Sequence, residues 1–413
     1  MGKKVTLAFI LVVFNIIIFF TINASAEIYE NLTYIITDGE VTITDCDVNA
    51  TEVVIPDKIE DYPVTCVEKF AFQNCTKLAS ITIPESMKEI GDCAFANCNS
   101  LINVYISNMT NWCNIDFYIM ASNPLCYAEN LYLNGELVEI LEIPSGVTEI
   151  GNFTFVDYDR LTSVTLPYGV KRIGDATFNC CDELVNINIP DSVESIGNSA
   201  FLGCTNLNSI VLPNSVTDIS ISAFRKCSSL TDVILSDSIT NIPMRMFGGC
   251  TSLTKLTIPE GVEIIGRCAF EDCTNLLDIT IPYTVTSIYY NAFANCNNLE
   301  EVRYNGTESE WNSIIIGTGN STLNFSDIVY IARTKTIISE DRKTFTVNPF
   351  NVKEKNIVIL ALYEGNRFIE MQSAIYKGNV IPFQTTLNYT MAKVMVWENT
   401  ENLKPICNVE IVK

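Results

Sequence analysis

The chain has 413 residues, 48% of them apolar, with 48 acidic against 26 basic side chains and a formal net charge of −22. That length exceeds one compact core and fits two or three domains or one long repeat array; the apolar content excludes a disordered chain, and the acidity makes nucleic acid and anionic lipid poor partners. Histidine is absent, which removes Ser-His-Asp and Cys-His nucleophilic sites, HExxH zinc sites and the commonest general base near neutral pH.

The N-terminus predicts an export signal. Lys3 and Lys4 precede an uncharged apolar run over residues 5–22, and Ala24-Ser25-Ala26 supplies the small residues that a signal peptidase accepts. Cleavage is expected after Ala26, giving a secreted or cell-surface chain with no stable membrane insertion; a retained anchor is the alternative, because such a run almost spans a bilayer. Residues 27–50 are expected to form an N-terminal β-hairpin cap, since alternating strands at 32–36 and 41–44 flank Asp38-Gly39, a hairpin turn signal. The unit that follows is longer than the rest, with Asp61-Tyr62-Pro63-Val64 between Ile55-Pro56 and Phe72.

A repeat then takes over. Phe-x-x-Cys recurs at Phe72/Cys75, Phe95/Cys98, Phe178/Cys181, Phe201/Cys204, Phe224/Cys227, Phe247/Cys250, Phe270/Cys273 and Phe293/Cys296, and a further copy has Tyr158 in place of the cysteine. From Tyr158 to Cys296 every step is 23 residues, a period that points to a leucine-rich-repeat type of array. In one unit, Leu184, Ile187 and Ile189 are expected to point inward from a short strand, with Val185, Asn186 and Asn188 outward and Pro190 ending the strand. Val193, Ile196, Phe201 and Cys204 add inward anchors, with Gly197 expected to turn the chain between them. One unit cannot bury so many side chains, but stacked units can, their strands pairing in parallel into one continuous sheet.

Between Cys98 and Tyr158 the array is longer than one period, so an insertion is expected near residues 104–137, holding Asn123-Pro124 and the Asn134-Gly135 turn. A related terminal unit near 303–331 runs from Tyr304-Asn305-Gly306 through Trp311, closing a solenoid over residues 51–331. Past it the period disappears. Strands are expected at 344–347, 357–363, 368–373, 380–383, 393–398 and 407–412, separated by turns such as Glu364-Gly365-Asn366, which suggests a small antiparallel sandwich over residues 332–413. The predicted fold is thus an α/β-type repeat solenoid, β-rich with a parallel sheet, followed by a small all-β sandwich.

Units such as Leu276-x-x-Ile279-x-Ile281-Pro282, with Val285-x-x-Ile288 and Ala292-Phe293-x-x-Cys296, resemble BspA-type leucine-rich repeats, over roughly residues 27–331. Trp112-Cys113-Asn114-Ile115 with Ser122-Asn123-Pro124-Leu125 is similar to an insertion common in that family, and Arg303-Tyr304-Asn305-Gly306-Thr307 with Trp311 to its sister. The segments Lys393-Val394-Met395-Val396-Trp397 and Lys404-Pro405-Ile406-Cys407 resemble a small β-domain attached to such arrays. The resemblance implies a cell-surface or secreted binding protein, some relatives being adhesins for host matrix proteins or other microbes. It carries no catalytic residues.

Sixteen cysteines in an exported chain invite a disulfide framework. Eight hold one inward repeat position, however, and a ladder of equivalent thiols has no unique pairing, so stacked reduced thiols are expected there. Cys93 and Cys268 share a second repeat position, and Cys46/Cys66 and Cys113/Cys126 are the better disulfide candidates. A zinc reading of Cys93/Cys98, Cys268/Cys273 and Cys180/Cys181 lacks histidine and an independent loop; no metal and no cofactor are expected. The Asn-x-Ser/Thr sequons at Asn31, Asn49, Asn152 and Asn320 read as turn residues, and Trp112 and Trp311 as packing side chains rather than exposed ligand-stacking rings.

The expected function is non-catalytic binding or adhesion through the outward strand face. Its central positions are Thr82, Thr165, Asn188, Val211, Ile234, Thr257 and Thr280, a weakly polar row with an aliphatic patch at Val211 and Ile234 that suits an extracellular protein or glycan. Two alternatives stay open: a structural spacer for the C-terminal β-domain, and a hydrolase of extracellular polymers using two carboxylates. For the latter, Asp237, Glu263 and Asp278 are scattered along the array.

Overall fold

The computed structural model describes residues 26–323, 328–331, 333–338, 342, 344–350, 356–364, 367–377, 379–385, 387, 389, 391–397 and 410–412. The apolar run over 5–22 and the 407–409 end of the last expected strand lie outside the described residues. Among the described residues no helix is long and apolar enough to cross a membrane.

Strands Glu27–Tyr29, Leu32–Thr37 and Glu40–Cys46 form an antiparallel meander. Asp38 and Gly39 both take positive φ, 54° and 81°, the twist that a two-residue hairpin loop needs. Glu40–Cys46 then pairs in parallel with Tyr62–Val67, joining the meander to the array. The extra length of the first unit is itself a hairpin: Lys58–Ile59 folds back on Tyr62–Val67 through Glu60 and Asp61 at φ 51° and 68°. Neither turn residue is glycine or asparagine, so the sequence carries no obvious turn signal there.

The solenoid has two columns of parallel strands. One holds three- and four-residue strands such as Ser80–Thr82, Ser163–Thr165, Lys255–Thr257 and Asp278–Ile281. The second, missing from the sequence-based expectation, holds two-residue strands such as Glu149–Ile150, Arg172–Ile173, Ser195–Ile196 and Asp218–Ile219. The single continuous sheet expected is instead a series of short sheets, with pairing lapsing after Asn186–Asn188 and after Asp232–Ile234. Strands this short make so few ladder bonds that one side-chain competitor changes the local pattern. The Leu166 amide, for example, donates to the Asn188 side-chain oxygen at 3.0 Å, where Ile143, Leu212 and Ile258 donate to a backbone carbonyl one rung on.

Between the columns runs a continuous core. Phe155, Phe178, Phe201, Phe224, Phe247, Phe270 and Phe293 stack face to face with ring centroids 5.1–5.8 Å apart and planes within 16°. Each ladder cysteine from the second onward donates its S–H to the carbonyl of the preceding rung's phenylalanine, at 3.0–3.2 Å from Cys98 to Cys296. Cysteine suits the position because it is a small apolar filler with a weak donor. At Tyr158 the rung below is irregular, and the longer side chain reaches the Val138 carbonyl at 2.6 Å instead.

The chain corner is made differently from the expectation at Gly197. That glycine is not in the left-handed region; its bare Cα lets the rungs approach, since a Cβ would sit 2.5–2.6 Å from Asp175 and Gly174 atoms. Left-handed backbone comes two residues later, at Ser199 (φ 53°), and recurs on the 23-residue period at Phe153, Ala176, Ser222, Arg245, Cys268 and Asn291. A second left-handed position passes through Gly203, Lys226 and Gly249 at φ 79°, 61° and 80°. A Cβ in this region costs about 1–2 kcal/mol, so Lys226→Gly is expected to stabilise the protein by about 0.5–1 kcal/mol after the extra freedom of the unfolded glycine is offset. A higher urea midpoint with an unchanged slope would show it.

The expected insertion turns out to be a rung. Asp116–Phe117 pairs with Glu89–Ile90 in one column and Asn130–Leu133 with Asn103–Ile106 in the other, with helix Met109–Cys113 in between. Trp112 is buried and its Nε1 donates to the Thr154 carbonyl at 3.1 Å, while Trp311 packs edge-on against Tyr304. Beyond the array, Arg333–Ile338, Thr344–Phe350 and Ile381–Gln384 form one antiparallel sheet, and Ile357–Glu364, Arg367–Ile375, Met391–Trp397 and Glu410–Val412 another. Phe345 and Val347 from the first share a core with Val358, Leu360, Val394 and Val396 from the second. Arg333–Ile338 is a strand that sequence reading did not assign.

Candidate functional site

Alternation along each strand of the first column turns the middle residue inward and the flanking two toward solvent, and the expected row is the second of these two. Strand register aligns those residues: Thr82 with Tyr105 and Tyr132, Thr165 with Asn188, Val211 with Ile234, and Thr257 with Thr280 and Arg303. All seven expected positions are at least partly exposed, Thr82 and Thr280 less than the others. Val211 and Ile234 stand out, with 55% and 61% of their surface open to solvent. Asn188 is exposed but occupied, its amide bonded to the Leu166 backbone at both ends.

Several aligned residues are not assigned by the sequence, among them Tyr105, Tyr132 and Arg303. Tyr105 and Tyr132 stack at 4.9 Å with planes 17° apart; they sit on two neighbouring rungs within the segment that the sequence suggests is an inserted loop. Arg303 falls one 23-residue step after Thr280, but in a segment that the sequence assigns to the terminal unit rather than to the row.

At the C-terminal half of the row the surface dips into a groove of about 610 Å³, walled by Ile234, Thr257 and Thr280 and by the charged side chains Asp232, Lys255, Asp278 and Arg303. Arg303 bridges Asp278 at 3.2 Å and Glu301 at 2.6 Å, fixing its guanidinium at one end of the groove. Burial raises the Asp278 carboxyl above the usual carboxylate range, outweighing the pull of Arg303. Asp237 also lines the groove and accepts from the Asn214 amide, whereas Glu263 does not line it. Among the described residues no cluster of Cys, Asp or Glu is arranged to hold a metal ion.

The expected disulfide pairs are not brought together. Strand register sets Cys66 against Thr42 rather than Cys46, and the Cys46 thiol donates to the Asp47 carbonyl at 3.7 Å. Cys113 is deep in the core, while Cys126 donates to the Met120 carbonyl and lies beside Asp157 and Cys180. Cys93 and Cys268 both sit at the first left-handed corner. Of the expected turn sequons, Asn320 is buried, with its amide donating to the Tyr289 and Gly317 carbonyls.

The description of the BspA type leucine-rich repeat region matches residues 42–125, 128–254 and 240–340, in 6 copies. Among solved structures, a leucine-rich cell surface protein from Faecalibacterium prausnitzii is 28% identical, with a TM-score of 0.38 and coverage of 70% of this chain and 97% of its own. A leucine-rich repeat protein from Bacteroides ovatus is 26% identical, with a TM-score of 0.29 and coverage of 67% and 94%. One from Eubacterium ventriosum is 20% identical, with a TM-score of 0.38 and coverage of 71% and 93%. No curated protein matches. With the repeat described from its period, its stacked phenylalanines and its parallel columns, and matched over most of its length, the chain belongs to the BspA-type leucine-rich-repeat family.

Proposed function

We propose that this chain is an extracellular, non-catalytic binding protein whose outward strand row holds a protein ligand. The observation that carries the reading is the exposed Val211–Ile234 pair running directly into the charged groove at Lys255, Asp278 and Arg303. An aliphatic anchor beside fixed charges is what a protein interface uses for affinity and for register, respectively. The export signal expected over residues 1–26 and the surface-protein resemblance support an extracellular location. In this reading residues 27–50 cap the solenoid of residues 51–331, and residues 332–413 are a separate β-domain. A carboxylate hydrolase is less favoured, because Asp278 is already ion-paired with Arg303. A glycan is the second ligand reading, favoured by the Tyr105–Tyr132 stack.

Binding of the full chain to immobilised extracellular-matrix proteins, compared with Ile234→Asp, tests the proposal. Loss of one buried aliphatic anchor is worth about 1.5–3 kcal/mol, so affinity is expected to fall at least about tenfold, while stability moves by less than about 0.5 kcal/mol at this exposed position. A partner held equally well by Ile234→Asp and Val211→Asp would rule out the strand row and favour the spacer role.

A further inference from the structure

We propose that the corner after the second strand column, where Arg245, Arg267 and Tyr290 adjoin, binds an acidic sugar, whose carboxylate or sulfate is held by the two guanidiniums. The 23-residue period stacks Arg225 and Lys226, then Arg245, then Arg267 on this corner of three successive rungs. Backbone bonds fix the neighbours: Arg245 N donates to Arg267 O at 3.0 Å, and Cys268 N to Tyr290 O at 3.1 Å. Arg245 itself occupies the left-handed corner, at φ 58°. Lys226 lies against the bare Gly249 of the next rung, where a Cβ would meet its Cγ at 3.4 Å. Gly248 and Gly249 add no side chain to that middle rung, so nothing there covers the cations. Burial and Glu271 raise the Cys268 thiol, and Arg267 and Arg245 both pull against them, so the two guanidiniums act on one rung.

The corner runs against the charge of the chain. Acidic side chains outnumber basic ones 48 to 26 overall, yet residues 198–204, 221–227 and 244–250 include none. On the following rung Asp272 accepts from the Asn295 amide at 2.7 Å. Among the described residues none of the four cations forms an ion pair, with Glu271 or any other carboxylate. The Nε of Arg245 is buried without a hydrogen-bond partner, an uncommon state that marks the position. A guanidinium rooted in the protein, with no acid to neutralise it, is preorganised for an external oxyanion, which its planar fork grips with two parallel bonds. Arg267 lies over the Tyr290 ring, 5.0 Å from the centroid, a contact that uses none of its N–H donors. Tyr289 and Tyr290 are 49% and 46% exposed. Exposed aromatic rings beside unpaired cations suit a ligand with an apolar C–H face and an anionic substituent, and an acidic sugar has both. A nucleic acid or an anionic bilayer needs a broader basic face than four cations on a chain of net charge −22. At physiological salt, charges more than about 8 Å away are largely screened, so the distant acidic surface does not cancel this corner.

The full chain is titrated with dextran sulfate, polygalacturonate, uncharged dextran and polyglutamate at fixed ionic strength. Binding of an acidic polysaccharide is expected, weakening as salt is added, with no binding of uncharged dextran. The sulfated and the carboxylated polymers distinguish the two anions. Arg245→Gln and Arg267→Gln should each lower affinity at least about tenfold, the effect of losing one charge-assisted pair. Tyr290→Ala should lower it about threefold. Arg267 is exposed, so its variant is expected to keep the parent's urea midpoint and to report binding alone. Lys255→Gln, in the groove of the strand row, should leave polysaccharide binding unchanged, which separates the two surfaces. Equal affinity of the parent and Arg267→Gln, a preference for polyglutamate, or no binding of either acidic polysaccharide overturns the proposal.

Discussion

Phe224→Ala is expected to destabilise the protein by about 3–5 kcal/mol, the range for emptying a buried phenylalanine site. Phe224 has no exposed surface and lies between Phe201 at 5.3 Å and Phe247 at 5.8 Å, nearly parallel to both. Each rung contacts only its neighbours, so the cavity cannot be filled by collapse of a three-dimensional core; the nearest replacements are rings already engaged above and below. The mutation therefore weakens two interfaces at once, in the middle of a one-dimensional array. Urea unfolding should lose its single cooperative transition, with amide exchange accelerating first in the rungs flanking residue 224. Tyr168→Ala serves as the contrast: that ring is 82% exposed, and its removal is expected to change stability by less than about 0.5 kcal/mol. Equal effects for the two variants would contradict the stacked-ring account of the core.

The period was legible because the same inward side chains mark each rung. Phenylalanine and cysteine at fixed spacing report a core position whatever the intervening residues do, and short alternating strands report which residues face out. The corners were not legible, because left-handed backbone recurs at positions occupied by Phe, Ala, Ser, Arg, Cys and Asn. Stacking of rungs imposes that conformation over intrinsic preference, so no residue type announces it. The second column was invisible for a related reason: two residues such as Arg172–Ile173 show no periodicity of their own.

The candidate site divides along the same line. Val211 and Ile234 were readable as outward because their repeats are regular. Tyr105 and Arg303 also keep the 23-residue step from Thr82 and Thr280, but their segments read as an insertion and a terminal unit, and only Tyr132 lies where the spacing stretches. The central repeats thus display the aliphatic pair, while the segments toward either end of the array supply the aromatic pair and the fixed cation.

Asn320→Asp is expected to destabilise the closing unit by about 3 kcal/mol near neutral pH. Asn320 is 5% exposed, and its amide nitrogen donates to the Tyr289 carbonyl at 2.9 Å and the Gly317 carbonyl at 2.8 Å while its oxygen accepts from the Phe293 amide at 2.9 Å. The same arrangement holds the other irregular rung, where the buried Asn123 amide donates to the Phe153 and Thr154 carbonyls at 2.7 and 3.0 Å. A carboxylate at position 320 would replace a donor by an acceptor facing two carbonyl oxygens, leaving buried groups unsatisfied at about 1–3 kcal/mol each. Protonation restores one donor. The folded state would therefore bind that proton more tightly than the unfolded chain, whose aspartate titrates near about 3.9. A folded value above the unfolded one means that the added destabilisation is least below about pH 4 and grows as pH rises through the folded value. Asn320→Ala lacks the proton and should show a pH-independent loss relative to the parent chain. Denaturant midpoints for both variants between pH 4 and 8 distinguish the two; parallel pH profiles would show that the residue 320 side chain does not face the carbonyls as described.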